Sequence, residues 1–257
     1  MASLDYADAA FDLPPYSGRV RPWIIGATPR CGSTYLAELL RTTGVLGVPG
    51  EYLHTGDYTP RLSRRLGTDT PDGKVDIECY LREVVRRRTS PAGRFGMKIH
   101  FRHLRPALRF AMVSALFRSA DFVHVSRRDR MDQAISYALA LDTGEWSRLV
   151  GSGQATTEAV AFDVERLLRI VGQLQAEEDG WNLFYAANRI EPVRIRYEDL
   201  MADPVATVAP VLAALGVAGA TVRPEAVAIE RQSDPRKADW RRRVADALQL
   251  DRDAAAR

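Results

Sequence analysis

The chain has 257 residues, of which 46% are hydrophobic and 27% are charged. That apolar content excludes a disordered chain, and no apolar run approaches the ~18 residues of a membrane-spanning helix. The 36 basic and 33 acidic residues leave a net charge of +3, which is too small for a protein that coats nucleic acid. Two cysteines, Cys31 and Cys79, are too few for a disulfide framework or a zinc site. These numbers favour one large globular domain or two small ones.

The start of the chain and its arginine content add two expectations. Residues 1–18 contain acids and prolines but neither the basic nor the apolar part of a secretory signal, so we expect a flexible tail on a cytoplasmic protein. Only three of the basic residues are lysines, namely Lys74, Lys98 and Lys237. An arginine excess is typical of a GC-rich genome, and it also suits anion binding, because the planar guanidinium matches phosphate and sulfate oxygens.

Strands and helices alternate along the chain. Short runs rich in β-branched residues predict buried strands, and apolar residues at helical spacing predict helices. The predicted strands are 20–27, 94–100, 121–126 and 192–197, and the predicted helices are one after residue 34, 76–88, 104–117, 129–141, 156–188 and 204–215, with another at the end of the polar segment 232–243. This order predicts a three-layer α/β fold, with a mostly parallel sheet flanked by helices, in a single domain over residues 19–257.

The turn between the first predicted strand and helix is the strongest local signal. It reads Gly26-Ala-Thr-Pro-Arg-Cys-Gly-Ser-Thr34, and the helix that follows offers unpaired N–H groups to an anion. Ser33 and Thr34 add hydroxyl groups, and Arg30 adds a positive charge. A nucleotide-kinase loop has a lysine before its hydroxyl residue, and the absence of that lysine favours a single 5′-phosphate over a triphosphate. A plain helix start with Ser33 as N-cap is the alternative.

A second basic segment follows the predicted strand 121–126. Val125-Ser-Arg-Arg-Asp129 lies outside the carboxyl end of a strand, where open α/β sheets bind their ligands. Ser136, on the next helix, can turn back toward the same anion. Together with Arg127 or Arg128, Ser136 would bind a second phosphate. The alternative is that this segment is a cluster of charged residues exposed to solvent.

Candidates for proton transfer are fewer. Glu51, in the loop 49–58, would face the mouth of the site, and a plain surface acid is the alternative. His54 and His100 are the histidine candidates for base chemistry, although a single histidine is more often structural.

Several segments together resemble one known family, the bacterial trehalose 2-sulfotransferases. The similar segments, in order, are Gly26-Ala-Thr-Pro-Arg-Cys-Gly-Ser-Thr-Tyr-Leu36, Leu40-Arg-Thr-Thr-Gly-Val45, Pro49-Gly-Glu-Tyr52, Gly96-Met-Lys-Ile99, Val123-His-Val-Ser-Arg-Arg-Asp129, Gln133-Ala-Ile-Ser136, Glu177-Glu-Asp-Gly-Trp181, Ile190-Glu-Pro192, 197–200, Glu230-Arg-Gln232 and Asp239-Trp240. The resemblance covers almost the whole chain after residue 20. It implies the P-loop NTPase-like sulfotransferase fold, the donor 3′-phosphoadenosine 5′-phosphosulfate (PAPS), no metal ion and a homodimer.

The resemblance also implies which residues bind the donor. The residues implied for the 5′-phosphosulfate are Arg30, Cys31, Gly32, Ser33 and Thr34, although Cys31 stands where the family often has serine. The residues implied for the 3′-phosphate are Ser136 and Arg127, or Ser136 and Arg128. Gln232, Arg236 and Lys237 lie in the stretch that closes over the nucleotide.

Three residues would carry the chemistry. Glu51 occupies the position of the family's general base, while Arg30 and Lys98 would offset the charge that grows on the leaving 5′-phosphate. The acceptor would be a hydroxyl group of a carbohydrate, a glycolipid or another small metabolite. Two other functions stay open: a P-loop kinase of small molecules using ATP, and a non-catalytic protein that binds anions or nucleic acid. The missing loop lysine argues against the first, and the modest net charge argues against the second.

Overall fold

A parallel β-sheet of four strands lies at the centre of the fold. The structure is a computed structural model that describes residues 5–147, 149–150, 160–229, 234 and 236–248. Within these residues the strands are β1 (Arg21–Ala27), β2 (Arg94–His100), β3 (Asp121–Ser126) and β4 (Val193–Arg196), in the spatial order β2-β1-β3-β4. All neighbouring pairs are parallel, so the carboxyl ends of the strands lie at one edge of the sheet.

Ten α-helices connect and cover these strands in the described part of the chain. They are α1 (Ser33–Arg41), α2 (Tyr58–Leu66), α3 (Ile77–Arg88), α4 (Phe101–Ala107), α5 (Ala111–Arg118), α6 (Arg130–Thr143), α7 (Val164–Asn188), α8 (Tyr197–Ala202), α9 (Pro204–Ala214) and α10 (Arg236–Leu248). Short 3₁₀ turns lie at Ala9–Phe11 and Pro224–Ala226.

The sheet is buried on both faces. Ile24 and Met97 pack on one face with side chains of α3, α5 and α7, whereas Ile25 packs on the other face with side chains of α1 and α9. Burial on both faces explains why β1 reads as a continuous apolar run, whereas β2 is buried along its whole length although apolar residues alternate with polar or small ones. The expected α/β fold, a parallel sheet between two layers of helices, is confirmed.

The predicted helix over 104–117 is wrong in its continuity, because the structure has two helices there. Phe110 adopts an extended backbone conformation between α4 and α5, and its ring packs against the core. Helices α2 and α8 were not predicted at all. They span nine and six residues, which is shorter than the window of about 11–18 residues over which hydrophobic periodicity identifies a helix.

The long helix predicted over 156–188 begins at Val164 in the structure. Asp163 caps α7 by accepting a hydrogen bond from the Arg166 amide, and the predicted residues 156–159 lie outside the described ones. Gly180 does not break α7. A Cβ atom there would lie only 2.3 Å from the Phe101 ring, so this glycine permits close packing rather than ending the helix.

Residues 5–18 pack against the domain, contrary to the expectation of a loose tail. Tyr6 is 8% exposed, and its hydroxyl group donates a hydrogen bond of 2.7 Å to Glu38. The fully buried Arg88 donates to the Tyr6 carbonyl at 3.0 Å and forms an ion pair with Asp12, also at 3.0 Å. These buried polar contacts attach the segment to α1 and α3. The single domain over residues 19–257 stays a prediction.

Replacing Tyr6 by phenylalanine is expected to destabilise the fold by about 1.5 kcal/mol, because a buried hydrogen bond to a charged group is lost. The matched control is Tyr16→Phe, which removes a hydroxyl group bonded to the Arg19 carbonyl at 3.2 Å in an exposed position. We expect that control to stay within about 0.5 kcal/mol of the parent protein. Urea unfolding of both variants measures the difference, and equal losses would contradict an anchored N-terminal segment.

Candidate active site

A cavity of about 900 Å³ opens at the carboxyl ends of β1, β2 and β3. Its walls come from the turn after β1, the residues that follow β2 and β3, and side chains of α1, α4 and α6. The chain runs from β1 to β2 on one side of the sheet and then crosses to β3 on the other. The cavity therefore lies where open α/β sheets bind their ligands, at the point where the strand order reverses.

The turn between β1 and α1, which the sequence predicts to be an anion-binding loop, contains two residues in the left-handed backbone region. Arg30 and Gly32 both have positive φ angles, of 62° and 87°. Gly32, not Ser33, is the N-cap of α1, and it supplies no capping side chain to the first amides of the helix. The alternative of a plain capped helix with Ser33 as N-cap is therefore wrong. A Cβ atom at position 32 would lie 2.5 Å from the Tyr197 ring, so only glycine fits.

Helix α6 fixes this turn from the side. Gln133 is fully buried, and its amide group donates to Thr28 Oγ1 at 2.9 Å and to the Pro29 carbonyl at 2.6 Å. Arg30 Nε donates to Ser136 Oγ at 3.0 Å, and another guanidinium nitrogen of Arg30 donates to the carbonyl of Trp146. The guanidinium group of Arg30 is thus held in place before any ligand arrives.

Arg127 lies beside this loop and joins Arg30 in the cavity. Its side chain is 8% exposed, donates to the Arg30 carbonyl at 3.3 Å and lies 4.4 Å from the centre of the Tyr197 ring. It also forms an ion pair with Asp132, while its Nε is buried without a hydrogen-bond partner. Burial and the nearby charge of Arg127 lower the pKa of Arg30 to about 10, and burial lowers the pKa of Arg127. Both stay charged at neutral pH.

The structure separates the two arginines that the sequence left as alternatives. Arg128 is 54% exposed, pairs with Asp199 at 2.5 Å and with Glu198 at 3.6 Å, and does not line the cavity. Arg127 and Ser136 both line it. The pair at the candidate site for a second phosphate is therefore Arg127 with Ser136.

Lys98 connects the anion-binding loop with Glu51. Its ammonium group is 2.8 Å from Thr34 Oγ1 and 2.7 Å from Glu51 Oε1, and its side chain is only 3% exposed. The loop that carries Glu51 is held against β2, because the Lys98 amide donates to the Gly50 carbonyl at 2.9 Å. Burial raises the pKa of the Glu51 carboxyl group, but the charge and hydrogen bond of Lys98 outweigh burial and hold that pKa well below its usual range. Glu51 is therefore ionised at neutral pH.

Three histidines line the cavity on the side of Glu51. The ring centres of His54 and His103 are 5.0 Å apart, and those of His100 and His103 are 5.8 Å apart. Burial lowers the pKa of His100 to about 3, and burial with the nearby His54 lowers the pKa of His103 to about 4. Both rings are neutral at physiological pH. His103 was missed by the sequence analysis, although it lies one helical turn after His100.

Three other predicted residues fall elsewhere. The Cys31 side chain is fully buried in the core and does not line the cavity. Gln232 lies outside the described residues. Arg236 forms an ion pair with Asp234 at 2.7 Å and does not line the cavity, whereas its neighbour Lys237 does.

Trp146, Tyr137 and Tyr197 also line the cavity and were not predicted. Trp146 is 49% exposed and lies 5.9 Å from the Tyr137 ring, measured between ring centres. Only Tyr197 had a usable signal, since it is the last residue of the predicted strand 192–197 and so lies at the carboxyl end of that strand.

Comparison with known proteins agrees with this geometry. The family model described as Stf0 sulphotransferase matches residues 22–246. The chain belongs to this family. It is 30% identical to trehalose 2-sulfotransferase from Mycobacterium tuberculosis (strain ATCC 35801 / TMC 107 / Erdman), over 87% of this chain and 94% of the relative. It is 27% identical to trehalose 2-sulfotransferase from Mycolicibacterium smegmatis (strain ATCC 700084 / mc(2)155), over 89% of this chain and 96% of the relative.

Solved structures of sulfotransferases are also similar. A sulfotransferase from Alicyclobacillus acidocaldarius matches with a TM-score of 0.48 and 18% identity, over 94% of this chain and all of that one. The sulfotransferase domain of the Synechococcus PCC 7002 olefin synthase matches with a TM-score of 0.45 and 16% identity, over 93% of this chain and 92% of that domain. Among the described residues of this Stf0 sulphotransferase, no helix is long and apolar enough to span a membrane, and no group of three or more His, Cys, Asp or Glu side chains is arranged to hold a metal ion.

Proposed function

We propose that this protein transfers the sulfuryl group of PAPS to a hydroxyl group of a small acceptor. The observation that carries the proposal is the pair of arginines, the half-buried Arg30 and the buried Arg127, in one cavity at the carboxyl edge of the sheet. Two such cations suit a donor that is anionic at both its 5′ and its 3′ position, because each guanidinium fork matches the oxygens of one anion. Membership of the Stf0 sulphotransferase family supports the same chemistry.

The donor side uses the loop and its cations. The first amides of α1, together with Arg30 and Lys98, oppose the negative charge that develops on the leaving 5′-phosphate. Arg127 and Ser136 bind the 3′-phosphate. Of the residues predicted to contact the nucleotide near the end of the chain, Lys237 lines the cavity, and Gln232 lies outside the described residues. No metal ion takes part.

Glu51 is the general base on the acceptor side. A lone pair of the acceptor oxygen attacks sulfur, the new S–O bond forms, and the bond between sulfur and the 5′-phosphate oxygen breaks. The leaving phosphate keeps that bonding pair, and the acceptor proton passes to the Glu51 carboxylate. The products are a sulfate ester and adenosine 3′,5′-bisphosphate. The ionised state of Glu51 supports this role, since a base must begin without its proton.

The acceptor side favours a neutral molecule with hydroxyl groups, such as a carbohydrate, a glycolipid or another metabolite. The neutral rings of His100 and His103 each offer one hydrogen-bond donor and one acceptor, which suits hydroxyl groups. The half-exposed ring of Trp146 adds a flat apolar surface. Trehalose is one candidate, because the two curated relatives carry its name. A homodimer and a cytoplasmic location stay predictions.

Calorimetric titration tests the donor without knowledge of the acceptor. Adenosine 3′,5′-bisphosphate is expected to bind at micromolar concentration, with AMP much weaker and ATP–Mg²⁺ weaker still. Binding of ATP–Mg²⁺ in preference to the bisphosphate would replace the proposal by the small-molecule kinase. Binding of many polyanions without preference for a 3′-phosphate would favour the non-catalytic anion-binding protein.

A further inference from the structure

Lys98 occupies the boundary between the two halves of the cavity. Its ammonium group donates toward Thr34 on the anion-binding loop and toward Glu51 on the acceptor side, at 2.8 and 2.7 Å. The side chain is 3% exposed, so little water competes for these contacts. One ammonium group therefore serves both the loop that faces the donor and the carboxylate that faces the acceptor.

This arrangement is a poor resting state for a base. The Glu51 side chain is 27% exposed, and its ion pair with Lys98 holds the pKa of Glu51 far below the range in which a carboxylate accepts protons well. His100, His103 and Arg102 line the same cavity as Glu51, and the two histidines are neutral. Lys98 is thus the cation closest to Glu51, and any loosening of their contact makes the carboxylate more basic.

We propose that Lys98 makes proton acceptance by Glu51 conditional on donor binding: in the free protein its ammonium group holds the carboxylate, and an anionic donor at the loop draws that group away from Glu51. The proposal rests on the proposed donor, because an anion at the loop is the competitor for Lys98. Its consequence is an ordered response, in which Glu51 gains proton affinity only when an anionic nucleotide occupies the loop.

Competition for one ammonium group has a reciprocal effect. If the donor weakens the contact between Lys98 and Glu51, then removing the charge of Glu51 must strengthen donor binding by the same free energy. Direct repulsion between Glu51 and the donor acts in the same direction, but it does not depend on Lys98. A double-mutant cycle separates the two contributions.

The experiment is calorimetric titration of adenosine 3′,5′-bisphosphate into the parent protein, Glu51→Gln, Lys98→Met and the double variant. Glu51→Gln is expected to tighten binding about fivefold or more, as for a typical coupling between sites. In the Lys98→Met background the same substitution should tighten binding less than about twofold, because the shared group is gone. Absence of tightening in the parent background, or equal tightening in both, would overturn the proposal.

A second measurement needs no variant of the buried lysine. The chain has only three lysines, so the side-chain NMR signals of Lys98 are readily assigned. Titration with the bisphosphate should shift the Lys98 signals and leave those of Lys74, a surface residue paired with Asp72, unchanged. An unmoved Lys98 signal at saturation overturns the proposal even if Lys98→Met does not fold. If the parent protein does not bind the bisphosphate, the proposed donor fails as well; if it binds without coupling, only this inference fails.

Discussion

Replacing Glu51 by glutamine is expected to lower the turnover number by about 10²–10⁴-fold, the usual contribution of a general base. The glutamine side chain keeps the size of glutamate, so the loop that carries it stays in place on β2. Its amide group, however, does not accept a proton at neutral pH. The attacking hydroxyl group would then have to lose its proton to water, while the donor stays bound to the loop.

The measurement is transfer of ³⁵S from labelled PAPS to a panel of sugars that includes trehalose, beside calorimetric binding of adenosine 3′,5′-bisphosphate. Asp57→Asn is the matched control, because Asp57 also lines the cavity but is 67% exposed and pairs with Arg61 at the surface. We expect this control to keep turnover within about threefold of the parent protein. Turnover retained in Glu51→Gln, with the donor bound, would remove Glu51 as the base.

Turnover that is lost together with bisphosphate binding would have a different meaning. It would indicate that the substitution had disturbed the contact between Lys98 and the loop, rather than the proton transfer. The two readouts therefore need to be taken on the same preparations of protein.

The sheet and the loop could be predicted from the sequence because their signals are local. Strands β2 and β3 have the predicted bounds, since short runs that contain β-branched and aromatic residues are a local signal for a strand. The turn predicted to bind an anion could be located because a strand, a polar turn that contains an arginine and a glycine, and a helix follow one another directly in the sequence. Arg127 was found as one of two neighbours, but the choice between them depends on α8, whose acids hold Arg128 at the surface.

The parts of the site that were missed depend on contacts between distant segments. Tyr197 packs against Gly32 and Arg127. The local sequence around Tyr197 does not predict a contact with either of these residues. The ion pair between Lys98 and Glu51 exists because the Lys98 amide bonds to Gly50, a contact across 48 positions of the chain. The N-terminal segment reads as a polar tail, yet Tyr6 is buried because its partner Glu38 and the buried Arg88 both need polar contacts.

Replacing Arg127 by alanine is expected to weaken binding of adenosine 3′,5′-bisphosphate by about 10–150-fold, as for loss of a charged hydrogen-bonded contact of about 1.5–3 kcal/mol. Binding of AMP, which lacks the 3′-phosphate, should change far less. The substitution also removes the contact of Arg127 with the Arg30 carbonyl and leaves Asp132 without this cation, so the loop itself is perturbed. Damage to the loop lowers both affinities alike, because both ligands place a 5′-phosphate there.

The decisive quantity is therefore the ratio of the dissociation constant of AMP to that of adenosine 3′,5′-bisphosphate, measured by calorimetry for each variant. Arg128→Ala is the matched control, since Arg128 is the next residue, carries the same charge and pairs at the surface with Asp199. We expect it to change the ratio by less than about threefold, in keeping with the small contribution of exposed ion pairs. Equal losses for both ligands in Arg127→Ala would assign the 3′-phosphate to another cation, and Lys237, which also lines the cavity, would be the next to test. If only Arg127→Ala loses the preference for the bisphosphate over AMP, the buried arginine after β3 is the residue that distinguishes a 3′-phosphorylated donor from an ordinary nucleotide.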